Sequence, residues 1–89
     1  MRIRIKYRKL GKEQAYGIAE SDGNIYIDER LKGKKHLEIL LHEVLHLLNP
    51  TEDEKTIIRK SVTLTKILWN EGYRRVDDTN DEPLQDGSI

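Results

Sequence analysis

The sequence predicts an α+β domain: a three-stranded antiparallel β-meander followed by two helices. Three observations predict it. Residues 2–8 and 24–28 alternate apolar and polar side chains with a period of two, the signature of strands with one buried face. Residues 35–48 carry a Leu-rich pattern of helical period closed by Asn49-Pro50. A second helical pattern runs from about Glu52 to Asn70 and stops before Gly72.

The first strand lies within residues 2–10, where Ile3, Ile5 and Tyr7 alternate with Arg2, Arg4, Lys6 and Arg8. Its basic face reads as a solvated edge whose charges discourage pairing with other chains. Gly11-Lys12 reads as a turn, and a weaker strand follows over residues 13–20, with Tyr16 and Ile18 on one face. Asp22-Gly23 is a hairpin signal. Asn24 to Asp28 is the third strand, with Ile25 and Ile27 on one face and Tyr26 on the other. Thr51 and Glu54 have capping-box spacing at the start of the second helix. From Val76 the chain is acidic without apolar periodicity. The expected organisation is therefore one domain over residues 1–75 and a loose tail over residues 76–89.

Composition narrows the function. The chain has 89 residues, with 16 basic and 16 acidic side chains and no net charge, so nucleic acid is not the expected partner. No apolar run is long enough to span a membrane, and the first residues contain no apolar segment of a secretory signal. With no cysteine, disulfides and thiolate metal sites are excluded. A cytoplasmic protein is the expectation.

The chemistry is carried by His42-Glu43-Val44-Leu45-His46, an H-E-x-x-H sequence on the first predicted helix. Imidazoles four residues apart share a helix face, where they can hold one Zn²⁺. With His42 at 0° on a helical wheel, His46 falls at about 40° and Glu43 at about 100°. Leu37, Leu40, Leu41, Val44, Leu45, Leu47 and Leu48 fill the arc from about 140° to 300°. The two His and the Glu are thus one polar arc on an otherwise apolar helix, and a metal with its water would satisfy all three. The bland alternative is the exposed side of an amphipathic helix. His36, about 120° round the wheel, reads as a solvent-facing residue at the helix start.

Zinc catalysis takes three protein ligands and one open position. On the second helix the apolar side chains Ile57, Ile58, Val62, Leu64, Leu68 and Trp69 centre near about 60°, where Glu54 also falls. Glu54 is therefore a candidate third ligand. Its other reading is the capping box, and Glu52, Asp53 and the acidic tail are further sources of a carboxylate.

These residues resemble the small zincin metallopeptidases. The likeness is to compact gluzincin-type, phage-encoded or ImmA/IrrE-like proteins, in which a short antiparallel sheet precedes the H-E-x-x-H helix. It covers roughly residues 13–73, and its specific part is His42, Glu43, His46 and Glu54. The resemblance implies a zinc-dependent metallopeptidase acting on a peptide or protein substrate, with His42, His46 and Glu54 as metal ligands and Glu43 as general base. It also implies that Asn24, Ile25 and Tyr26 form the edge along which an extended peptide binds. The alternative is an inactive zincin-fold module that holds metal or a protein partner and cuts nothing.

Overall fold

The computed structural model describes residues 1–11 and 15–76. It is a small α+β domain with β1 (Arg4–Arg8), β2 (Gly17–Ala19), β3 (Asn24–Asp28), α1 (Gly33–Leu48) and α2 (Glu54–Asn70). Element order and type are as the sequence predicts. Of the second predicted strand, Gly17–Ala19 form β2, the described residues 15, 16 and 20 fall outside it, and residues 12–14, with Lys12 of the expected Gly11-Lys12 turn, lie outside the described ones. All of the predicted tail except Val76 also lies outside them.

The sheet is mixed, not an antiparallel meander. Its order is β1-β3-β2. β1 runs parallel to β3, from Arg4 opposite Asn24 to Arg8 opposite Asp28. β2 is antiparallel to β3, with Ile18 opposite Tyr26. Burial explains the order. Ile25 and Ile27 are fully buried, so the strand carrying them takes the centre. Every residue of the Arg/Lys-rich β1 is exposed, which suits an edge. The chain leaving Arg8 must cross β3 before β2 begins, and period-two alternation carries no trace of that crossing.

The β2–β3 turn follows its sequence signal. The Gly23 N–H donates to Glu20 O at 2.9 Å, and the Asp22 carboxylate accepts the Asn24 N–H at 3.1 Å. Gly23 has φ +103°, and a Cβ there would lie 2.2 Å from the Arg2 carbonyl oxygen. Only glycine lets the start of the chain run beside this turn.

α1 covers one face of the sheet. Ile25, Ile27 and Leu47 form the core, with Ile3, Ala19, Leu31, Ile39, Leu40 and Val44 packed against them. Tyr26 points to the other face, where the Arg8 guanidinium lies 4.3 Å from its ring centre.

Asp28 ties the sheet to the segment entering α1. It is 2% exposed, and one carboxylate accepts the Arg30 N–H, Nε and Nη2 at 2.9, 2.9 and 2.6 Å and the Leu10 N–H at 3.3 Å. The Arg30 guanidinium and backbone N–H hold its pKa well below the usual carboxylate range. A depressed folded-state pKa contributes stability that is present above the unfolded value of about 3.9 and lost as pH falls below it. Asp28→Asn should therefore lower the melting temperature at pH 7. The gap between the two proteins should narrow progressively below about pH 4. Thermal melts across that range check this, and a gap independent of pH would refute it.

The helix starts differ from expectation by about two residues. α1 begins at Gly33, and α2 begins at Glu54 behind Asp53, whose side chain accepts the Thr56 N–H at 2.8 Å. The predicted capping box of Thr51 and Glu54 does not form. Asp53 takes the cap because the chain first turns through Asn49–Glu52, where the Glu52 N–H donates to Asn49 O. That shift releases the Glu54 carboxylate.

The helices run antiparallel, with Glu54 beside His46 and Trp69 beside Gly33. Ile57, Ser61 and Thr65 are the buried residues of α2. Ile58, Val62 and Leu64, expected in the core, are 46%, 46% and 38% exposed. The small Ser61 and Thr65 occupy the centre of the helix contact and displace the apolar side chains to its flanks.

Candidate metal centre

The site is built where the second half of α1 meets the first turn of α2. His42 and His46, one turn apart on α1, place their Nε2 atoms 3.1 Å from each other, with the rings edge-on at a 4.7 Å centroid separation. Glu54 reaches both: Oε2 is 3.1 Å from His42 Nε2 and Oε1 is 2.8 Å from His46 Nε2. One potential ligand atom from each residue lies within 4.8 Å of the others.

The donor set fits a divalent cation. Atoms on neighbouring corners of a tetrahedron about 2.05 Å in radius are about 3.3 Å apart, close to the spacings seen here. Two imidazoles and a carboxylate suit zinc and also other divalent transition metals.

Glu43 lies beside this group and is 8% exposed. Burial raises its pKa, while the neighbouring His42 and His46 pull in the opposite direction. Its side chain is folded against β2. A Cβ built on Gly17 would stand 2.8 Å from Glu43 Cγ and 2.9 Å from Oε2. Gly17, Ile18 and Ala19 of β2 therefore wall an open groove of about 630 Å³ with Glu43, His46 and Pro50.

The structure brings together His42, His46 and Glu54, with Glu43 alongside. Glu54 stands at the mouth of the helix pair and not in the core, its side chain 60% exposed. Two of the alternative carboxylates are engaged elsewhere, and those of the acidic tail lie outside the described residues. Glu52 accepts a bond from Lys60 Nζ at 2.6 Å, and Asp53 caps α2.

Asn24, Ile25 and Tyr26 do not form an open edge. β3 is the central strand, paired with β1 on one side and β2 on the other, so its backbone is already engaged. The sheet edge beside Glu43 belongs to β2. His36 also departs from expectation. It is 6% exposed and lies 3.0 Å from the hydroxyl of Tyr7, a β1 residue 29 positions away whose side chain covers this end of α1. Gly17 was not singled out by the sequence reading. Its one signal was a glycine within a strand pattern, which marks a close backbone approach.

No family model, no curated protein and no solved structure matches this chain. No helix among the described residues is long and apolar enough to cross a membrane.

Proposed function

We propose that the chain is a zinc-dependent metallopeptidase whose metal ligands are His42, His46 and Glu54 and whose general base is Glu43. The observation that carries the reading is the convergence of three ligand atoms from two helices beside a buried carboxylate. Held there, Zn²⁺ would polarise a peptide carbonyl and make a water more acidic.

The remaining work falls to the chain's own residues. Glu43 accepts a proton from the attacking water and returns it to the leaving amine nitrogen. Its raised pKa brings its two protonation states closer in energy near neutral pH, which suits a group that must both take and give a proton. The edge of β2 presents backbone groups to an extended peptide, replacing the β3 edge that the resemblance implied. Ile18 and Ala19 would flank that peptide in the groove.

A second reading is a module that holds metal without turnover, favoured by the open groove and the three-residue β2 edge.

Elemental analysis of the untagged protein tests the metal centre. Wild type should carry close to one zinc per chain, and His46→Ala should lose at least about tenfold in metal affinity. Absence of bound metal after zinc is added back would overturn both readings. Bound zinc with no cleavage of any member of a peptide library would favour the second.

A further inference from the structure

The opposite end of α1 carries a separate cavity of about 680 Å³, within the range of small-ligand sites. His36 lies in its wall, six residues and about 9 Å along the helix from His42. Leu37, Leu40, Trp69 and Tyr73 supply apolar surface.

Charge on the lining is one-sided, although the whole chain is neutral. Among the described residues, Lys32, Arg74 and Arg75 line the cavity, with Glu29 as the one carboxylate. None of the three cations is ion-paired with a described carboxylate. Arg75 lies 4.6 Å over the Tyr7 ring, and Arg74 lies 3.4 Å over Trp69 while donating through Nη1 to the carbonyls of Trp69 and Tyr73. Both guanidinium groups are thus held by aromatic faces with N–H groups to spare.

The start of α1 adds to this field. Lys32, at its N-cap, gives no side-chain cap, and the first turn contains no acidic residue. The opening N–H groups of the helix have no intrahelical acceptor, and the helix dipole makes this end positive. Burial first, then the nearby Arg75 and Lys32, push the His36 pKa down.

We propose that this cavity binds a small organic phosphate. Its phosphoryl group lies between the N-terminus of α1, Lys32 and Arg75, and its apolar or aromatic body lies against Leu37, Leu40 and Tyr73. Cations and free helix N–H groups together are the chemistry that recognises phosphate. A free ion would leave the apolar walls unmatched, so an organic ester is the better fit. The site is independent of the metal centre.

Trp69 is the single tryptophan of the chain, and its ring lies close to Gly33, so its fluorescence reports on this cavity. Titration of the full-length protein with phenyl phosphate should give a saturable Trp69 signal and shift the backbone amides of Gly33–His36 in NMR spectra. Inorganic phosphate should bind more weakly. Arg75→Ala and Lys32→Ala, both at exposed positions, should each weaken phenyl phosphate binding at least about tenfold with unchanged circular dichroism. No saturable response at millimolar phenyl phosphate would overturn the proposal. So would unaltered affinity in both variants, or inorganic phosphate and phenyl phosphate binding equally.

Discussion

Glu43→Gln is expected to retain metal and to lose peptide hydrolysis by about 10²–10⁴-fold, the usual worth of a positioned general base. The substitution keeps the size of the side chain, so the contact with Gly17 and the placement of His42 and His46 are unchanged. It removes the ability to accept a proton. Glu43 as a whole is 8% exposed, and among the described residues no second carboxylate stands beside it free to replace it, since Glu54 is given to the two imidazoles. The measurement is zinc content beside the initial rate of peptide cleavage on the same preparation. A variant that is metal-loaded and cuts at the wild-type rate would sink the assignment of Glu43.

Gly17→Ala should damage catalysis although it replaces neither a metal ligand nor Glu43 itself. The new methyl would meet Glu43 Cγ at 2.8 Å, Glu43 Oε2 at 2.9 Å and Ile39 Cγ2 at 2.9 Å, all closer than real Cβ contacts allow. Either Glu43 moves or β2 lifts from α1. Overpacking of this kind costs about 1–3 kcal/mol. An ångström of displacement at a catalytic group can cost about 100-fold in rate. Because the three atoms nearest the added methyl belong to Glu43 and Ile39 and not to a metal ligand, zinc affinity should remain near wild type. Loss of metal together with activity would show that Gly17 supports the whole site and not Glu43 alone. Full activity would mean that the strand yields without moving Glu43.

Much of the fold was legible because it rests on local rules. The alternation at Ile25 and Ile27 marked the buried face of β3, and Asp22-Gly23 marked its turn. Spacing of Leu side chains along α1 marked both the helix and the polar arc that breaks it. The two His and Glu43 were legible for the same reason, since residues 42, 43 and 46 acquire their mutual geometry from the helix itself. Glu54 was legible only as one candidate among several. Two readings of it competed, and the helix start separating them shifts by two residues with the path of Asn49–Glu52.

The strand order was not legible. Alternation reports which face of a strand is buried and is silent on its neighbour, so a meander and the β1-β3-β2 sheet present the same pattern. That silence misplaced the open edge on Asn24–Tyr26, which lies at the centre of the sheet. His36 was misjudged for a related reason: its Tyr7 partner lies 29 residues away in the chain.

The sequence by itself determined the elements, the turn at Gly23 and the side-by-side placement of His42, Glu43 and His46, because each depends on residues a few positions apart. The tertiary structure decided the edge beside the site, the burial of Glu43 against Gly17 and the delivery of Glu54 to the two imidazoles. Those depend on which surfaces exclude water together, and packing between distant segments settles that.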